Sequence, residues 1–267
     1  MNDSTEKETP KVVPKPVAAL TALPRTGWLQ DIGYFDDETS AFMRVLLYGA
    51  MGTGKTTLAA TFPSPLFIDL DKGGMTVRKK HIPHVRCYDS KGIIKKVFAI
   101  LEAAHAKSGP FAPGEPFGEI KTIVFDSMSV FSNSALVDLI AQTGRDPLDV
   151  KAGYDEYGRL LNIQIALGKL FKALSSQYNV IVTALPTIDK DENTGSIVGG
   201  PSLVGQYRGL IGADFDEVYY LMSEGTKDNV KHVLFTSKQS FYDAKSRLGG
   251  MPYKLENPTY DSIKKYL

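Results

Sequence analysis

A glycine-rich segment followed by a lysine and a threonine carries the strongest chemical signal in the sequence. Residues 49–56 read GAMGTGKT and fit the phosphate-binding pattern G-x-x-x-x-G-K-[ST]. Glycines at such positions let the backbone curl so that its N–H groups face phosphate oxygens. The lysine of this pattern contacts the β- and γ-phosphates, and the neighbouring hydroxyl is a ligand of Mg²⁺. The segment predicts that ATP and Mg²⁺ are bound by Gly49, Gly52, Thr53, Gly54, Lys55, Thr56 and Thr57.

Carboxylates at the ends of two apolar runs could complete a site for phosphoryl transfer. Asp126 ends the run TIVFD at residues 122–126, where an acid that holds Mg²⁺ is expected. Thr56 and Asp126 are therefore the predicted metal ligands. Asp69 and Asp71 end a second run, and a carboxylate there could orient the attacking water. The alternative is that these two acids only form a turn, and the sequence leaves both interpretations open.

Six short apolar runs must position these residues. The first four are nearly continuous in apolar residues, as strands buried on both faces of a parallel sheet are. The last two are more polar and could form a hairpin. Between the third and fourth runs, the spacing of apolar residues from Leu160 to Leu174 predicts a helix. The expected fold is therefore α/β, with a mainly parallel central sheet flanked by helices. The runs are residues 44–48, 65–69, 122–126, 180–184, 217–221 and 231–236.

The composition limits the classes to which the chain can belong. Of its 267 residues, 43% are hydrophobic and 23% are charged, which excludes a wholly disordered or fibrous chain. The net charge is +1, so a site for nucleic acid would have to be a local patch. Cys87 is the only cysteine, which indicates a reducing compartment. The sequence shows neither a secretory leader nor an apolar run of membrane-spanning length, so a cytoplasmic protein without a membrane partner is expected.

The composition changes near residue 27. Residues 1–27 hold four prolines among polar and charged residues, which is typical of an extended, disordered N-terminal tail. From residue 28 onwards the composition is that of a globular protein. One nucleotide-binding domain is therefore expected over residues 28–267.

The order of the motifs resembles the RecA-like ATPase core, and most of all the compact phage ATPases of single-strand annealing and recombination. The likeness is carried by GAMGTGKTT, FIDLDKGG, TIVFDSMS and the block from Asn179 to Met222, and it extends over about residues 42–252. It implies a RecA-like, Mg²⁺-dependent ATPase that acts on single-stranded DNA in phage-type recombination. It also implies a location in the cytoplasm of a bacterial host.

The same resemblance implies roles for individual residues. Asp126 corresponds to the Walker B acid, and Asp71 falls where RecA-like proteins place a catalytic glutamate. Lys245 and Arg247 form a K-x-R after the late strand, where a basic residue of the family contacts the γ-phosphate of the neighbouring subunit. The predicted catalytic residues are therefore Lys55, Asp71, Lys245 and Arg247. A finger that acts on a neighbour implies self-assembly into a ring or a filament.

Asp71 departs from the family pattern, because aspartate is one methylene shorter than glutamate and would hold the water less well. Two further features of the sequence also depart from it. The family has a mobile DNA-binding loop after the fourth apolar run, but residues 187–200 offer Lys190 together with three acids, which does not supply clustered positive charge. Leu185 stands where the family often has a Gln or His that senses the γ-phosphate. Thr183 or Thr187 could substitute for that sensor.

Three other functions remain open at this point. A non-catalytic nucleotide switch would fit the shortened Asp71 and the apolar Leu185. An assembly ATPase directed at proteins would use the same nucleotide site without DNA. A small-molecule kinase would need an acceptor pocket and an arginine-bearing lid, and the sequence shows no arginine-rich lid.

Overall fold

The secondary structure alternates between strands and helices along most of the chain. The structure, a computed structural model, describes residues 42–190, 195–226 and 229–267. The strands are β1 Arg44–Gly49, β2 Pro65–Asp69, β3 His84–Arg86, β4 Thr122–Asp126, β5 Asn179–Ala184, β6 Pro186–Lys190, β7 Ile197–Pro201, β8 Glu217–Thr226, β9 Asn229–Phe235 and β10 Lys254–Glu256. The helices are α1 Lys55–Ala59, α2 Ile93–His105, α3 Met128–Gln142, α4 Tyr154–Leu174 and α5 Tyr260–Lys264. Shorter 3₁₀ segments are Gly73–Lys80, Gly109–Phe111, Gln206–Gly209 and Ile211–Asp214.

Eight strands of the described residues pair into one sheet. Their order is β10-β9-β8-β1-β5-β4-β2-β3. Every pairing from β8 to β3 is parallel, whereas β9 and β10 are added antiparallel at one edge. The predicted mainly parallel sheet with flanking helices is confirmed, and so is the predicted hairpin of β8 and β9. Parallel strands end at the same edge, so β1, β2 and β4 deliver their following residues to one place.

Helices cover both faces of the sheet, which explains the apolar runs. All residues of β4 and β5 are buried. On one face, Phe125 of β4 packs edge-on against Phe131 of α3 and Phe171 of α4, with ring centroids 5.5 and 5.4 Å apart. On the other face, Phe62 after α1 packs on Tyr260 of α5 at 4.8 Å. A strand between two such layers has no face exposed to solvent, so its sequence is apolar throughout and does not alternate with polar residues.

Helix α4 confirms the helical pattern but begins six residues before the predicted stripe. Leu160, Leu167 and Phe171 of the stripe are buried against the sheet. The extra first turn is held by polar contacts, because the carboxylate of Glu156 accepts the N–H of Gly153 at 2.6 Å and also pairs with Arg145. A carboxylate that caps the first turn stabilises a helix start that apolar spacing does not reveal.

The loop expected over residues 187–200 is largely a hairpin, so that expectation is corrected. Strands β6 and β7 pair antiparallel, with Thr187 opposite Gly200, and residues 191–194 lie outside the described part. Arg208 forms an ion pair with Asp189 of β6 at 2.6 Å. Backbone hydrogen bonds therefore join β6 to β7, and the ion pair with Arg208 holds Asp189 of β6 in place. The predicted tail at residues 1–27 and the predicted domain start at residue 28 also lie outside the described residues.

Replacing Gly49 with alanine is expected to lower the free energy of unfolding by about 1–3 kcal/mol, the usual cost of overpacking. A Cβ at Gly49 would overlap the carbonyl oxygen of Leu221 in β8, and a backbone atom cannot rotate away. Gly158→Ala in α4 is the matched control, because a Cβ there meets no atom within 4 Å. Urea unfolding measures both. Equal stability of G49A and G158A would contradict the steric reason.

Candidate active site

The P-loop follows β1 and curls at two glycines. Gly52 and Gly54 have φ angles of +77° and +90°, a region that favours glycine. The ammonium of Lys55 donates to the carbonyl oxygens of Gly49 at 2.6 Å and Ala50 at 2.8 Å. Burial lowers the pKa of Lys55. The side chain of Lys55 thus lies against the loop whose backbone N–H groups form the expected phosphate cradle.

A hydroxyl from the P-loop meets the carboxylate at the end of β4. Thr56 Oγ1 donates to Asp126 Oδ2 at 2.9 Å, and the buried hydroxyl of Thr183 at the end of β5 donates to Asp126 Oδ1. Asp126 is only 4% exposed, and this burial raises its pKa while the two threonine bonds act in the opposite direction. A hydroxyl and a carboxylate that converge are oxygen donors of the kind that Mg²⁺ prefers. The predicted ligands Thr56 and Asp126 therefore fit the metal.

The two acids after β2 differ in what they contact. Asp69 accepts the backbone N–H of Lys72 at 2.9 Å and the hydroxyl of Tyr88 at 2.6 Å. The hydrogen bond that Tyr88 donates to Asp69 is the first cause that raises the pKa of Tyr88 to about 12. Both oxygens of Asp69 are therefore engaged by its own turn and by Tyr88, which favours the turn-forming interpretation for this acid.

Asp71 lies closer to the phosphate site than its neighbour does. One carboxylate oxygen accepts the N–H of Gly73 at 2.9 Å. Partial burial, followed by the nearby charge of Asp126, raises the pKa of Asp71 to about 6. A carboxylate with a raised pKa beside a phosphate cradle has the basicity expected of a group that accepts a proton from water.

All of the predicted nucleotide and metal residues except Gly49 line one cavity of about 380 Å³. The P-loop forms one wall, Asp126 contributes from β4 and Asp71 from the turn after β2. Ala184 and Leu185 close the side at the end of β5 with apolar groups. The structure thus brings Lys55, Thr56, Asp71 and Asp126 together, as the sequence predicts.

His232 of β9 also lines this cavity, and sequence reasoning missed it. A Cβ placed on Gly54 would lie 2.9 Å from Cγ of the His232 ring, so the imidazole is in contact with the P-loop. Ser223, opposite His232 in the β8–β9 hairpin, donates to the carbonyl oxygen of Gly52 at 3.4 Å. The sequence offered one signal for this contact, the predicted hairpin of β8 and β9. The register of that hairpin brings the polar residues Ser223 and His232 to the P-loop.

Lys245 and Arg247 lie away from the P-loop of their own chain. The backbone of Lys245 pairs with Val218 at the start of β8, whereas Gly49 pairs with Leu221 farther along the same strand. Arg247 forms an ion pair with Asp216 at 2.7 Å, and Asp216 also binds Arg44 at 2.7 Å. Neither Lys245 nor Arg247 lines the P-loop cavity, and the finger stays a prediction.

Replacing Thr183 with valine is expected to destabilise the protein by about 1.5–3 kcal/mol at neutral pH, the usual worth of a hydrogen bond to a charged group. Valine keeps the volume of threonine but removes the hydroxyl that favours ionised Asp126. The loss raises the pKa of Asp126 further, so the cost shrinks as the pH falls and the carboxyl becomes neutral. Urea unfolding at several pH values measures it. Thr187→Val in the hairpin is the control, and equal effects would contradict the role of Asp126.

The solved structures that are similar to the chain at low sequence identity include the following three. A KaiC-like protein from Pyrococcus horikoshii OT3 is 16% identical, with 72% of this chain and 77% of that chain covered and a TM-score of 0.39. The flagellar accessory protein FlaH from Methanocaldococcus jannaschii is 12% identical, with coverages of 80% and 84% and a TM-score of 0.45. The RadB recombinase is 13% identical, with coverages of 80% and 86% and a TM-score of 0.44. None of the curated proteins matches the chain.

A family model covers most of the sequence. The model described as AAA domain, AAA_24, matches residues 41–248, a range that contains the P-loop, Asp71, Asp126 and the K-x-R segment. No described helix is both long and apolar enough to cross a membrane. The sheet order, the P-loop after β1 and the acid at the end of β4 agree with this match. The chain therefore belongs to this AAA domain family of nucleotide-binding P-loop ATPases, and its fold is α/β with a mainly parallel central sheet.

Proposed function

We propose that the chain binds ATP with Mg²⁺ and hydrolyses the β–γ bond. The observation that carries this proposal is the contact of Thr56 with Asp126 inside the P-loop cavity. Mg²⁺ held by these two residues would neutralise phosphate charge. Lys55 leaves its two carbonyl partners to contact the β- and γ-phosphates, and Asp71 accepts the proton of the attacking water. Oxygen of that water bonds to the γ-phosphorus as the bond to the bridging oxygen breaks, and ADP leaves.

We propose single-stranded DNA as the partner and phage-type recombination as the setting. The order of motifs supports this partner, because the phage annealing ATPases share it. The hairpin of β6 and β7 is poorly suited to bind DNA phosphates, because Asp189 on it neutralises the positive charge of the nearby Arg208. DNA would therefore be bound by basic groups elsewhere in an assembly of several copies, where one modest patch is repeated.

Self-assembly into a ring or a filament belongs to the same proposal. Arg247 is 60% exposed in its side chain, and Lys245 lies two residues before it on an extended segment. Two cations on one side of such a segment can approach one γ-phosphate together. Binding to a neighbour would require Arg247 to exchange Asp216 for phosphate.

A second candidate function is a nucleotide switch with little turnover. The observation that favours it is the apolar wall at Ala184 and Leu185, beside the phosphate cavity. Thr183, the polar residue nearest to that wall in sequence, already donates to Asp126. A site of this kind can bind ATP firmly while it orients water poorly.

The test is ATP turnover of the full chain with Mg²⁺ or EDTA, and with or without a poly-dT oligonucleotide. Turnover that needs Mg²⁺ and increases with the oligonucleotide would support the whole proposal. Turnover that ignores DNA would overturn the DNA-directed part and favour an assembly ATPase. Tight ATP binding without turnover would favour the switch. The RNA counterpart, poly-U, serves as the control for the kind of nucleic acid.

A further inference from the structure

A second and larger cavity adjoins the phosphate site. It has a volume of about 520 Å³ and lies between the 3₁₀ segment Gly73–Lys80 and the ends of β2 and β3. Asp126 lines both cavities, so they meet at the metal-binding carboxylate. A cavity of this size suits a small organic ligand, and the P-loop function uses none of its other walls.

Positive charge is concentrated at this second cavity. Lys72, Arg78 and Arg86 line it, and none of them forms an ion pair with an acid among residues 42–190, 195–226 and 229–267. Arg86 donates through Nε to His84 at 3.2 Å, which leaves its two terminal amino groups for another acceptor. Guanidinium groups of this kind bind phosphate oxygens in pairs.

The remaining wall of the cavity is apolar. Phe67, Val77 and Ile82 contribute to it from β2, from the 3₁₀ segment and from the turn that follows. Met75 adds a side chain that is 77% exposed. Asp69 lies at the inner end, where each carboxylate oxygen accepts one hydrogen bond and has a second lone pair for a ligand. The cavity therefore offers cations for an anionic group, an apolar surface for a flat body and acceptors for N–H or O–H donors.

We infer that this cavity binds one nucleotide unit, separate from the ATP of the P-loop. Its phosphate lies between Arg78 and Arg86, and its base lies against Phe67, Val77 and Ile82. The unit is either a free mononucleotide or a nucleotide of a single strand, since both present the same phosphate and base. A free mononucleotide here goes beyond the proposed function, because its binding does not depend on ATP hydrolysis. A nucleotide of a single strand instead gives the proposed DNA partner its binding place, and that arm rests on the proposed function.

The test is isothermal titration calorimetry on the full chain. A non-hydrolysable ATP analogue with Mg²⁺ first saturates the P-loop, and its own binding isotherm reports separately on the proposed function. The probes are then dTMP, a poly-dT oligonucleotide and inorganic phosphate. Arg78→Gln and Arg86→Gln are the test variants, and Lys169→Gln on the exposed side of α4 is the matched control.

The expected result is that dTMP or the oligonucleotide binds, and that each arginine variant weakens this binding about 10- to 100-fold. The control and the affinity for the ATP analogue stay unchanged. Equal binding of the two probes assigns the site to free nucleotides, and much tighter binding of the oligonucleotide assigns it to a strand. Binding that is unaffected by both variants, or absent for both probes, would overturn the inference. Inorganic phosphate that binds as well as dTMP would overturn the role of the apolar wall.

Discussion

Lys55→Ala is expected to reduce ATP turnover by about 10²–10³-fold or more, the usual effect of removing one group that stabilises developing charge. The ammonium is the P-loop group that carries a full positive charge to the γ-phosphate. Its two hydrogen-bond partners are backbone carbonyls of the same loop. The buried Asp126, whose charge Lys55 also offsets, keeps the hydrogen bonds from Thr56 and Thr183. The fold should therefore survive the change. Single-turnover and steady-state phosphate release measure the effect.

Lys169→Ala is the matched control for this variant. Lys169 has the same charge but lies exposed on α4, in the middle of a helix that does not line the cavity. It should turn over ATP as the unchanged protein does. Thermal unfolding of both variants checks that the fold is intact. A Lys55→Ala protein that folds and keeps its turnover would contradict the assignment of the site.

The pH dependence of ATP hydrolysis is expected to report Asp71. Its pKa is raised from 3.8 to about 6, chiefly by partial burial and then by the charge of Asp126. A carboxylic acid accepts the proton of water only when it is ionised, so kcat/KM should fall below pH 6 and level off above it. The profile of kcat/KM reflects the free enzyme, to which this pKa belongs.

Asp71→Asn should lower kcat/KM by about 10²–10⁴-fold. It should also remove the acidic limb of the pH profile, which is the fall in kcat/KM below pH 6. The same variant controls for the ionisation of ATP itself, because the substrate is unchanged. Asp71→Glu restores the longer acid that the family resemblance leads one to expect, and it should keep both the activity and a limb. Identical pH profiles for the unchanged protein and Asp71→Asn would show that another group accepts the proton.

The parts of the fold that are predictable from the sequence depend on local rules. The first four apolar runs became strands that are buried on both faces, which leaves a continuous apolar signal in the sequence. The P-loop was recognisable because its residues lie next to one another in the chain. Short edge strands such as β3 and β10 have three residues each and carry no such signal. The hairpin of β6 and β7 was hidden by its polar and glycine-rich composition.

The parts of the site that escaped prediction depend on contacts between distant residues. The residues alone left open whether Asp69 and Asp71 form a turn or orient water, because the deciding partner of Asp69 is Tyr88, 19 residues away. His232 reaches the P-loop only through the register of β8 and β9. In the same way, the pairing of Arg247 with Asp216 spans 31 residues and is invisible in the K-x-R pattern.

The position of β1 determines when the nucleotide site can form during synthesis. Its neighbours on both sides, β5 and β8, come late in the chain, and the contact of Met43 with Asn179 already spans 136 residues. At about 5–20 residues per second, a ribosome needs roughly 7–27 s to add that stretch. Until then β1 is an apolar strand without partners, which is a hazard for aggregation. ATP can therefore stabilise the finished chain by binding, but it cannot guide the first steps of its folding.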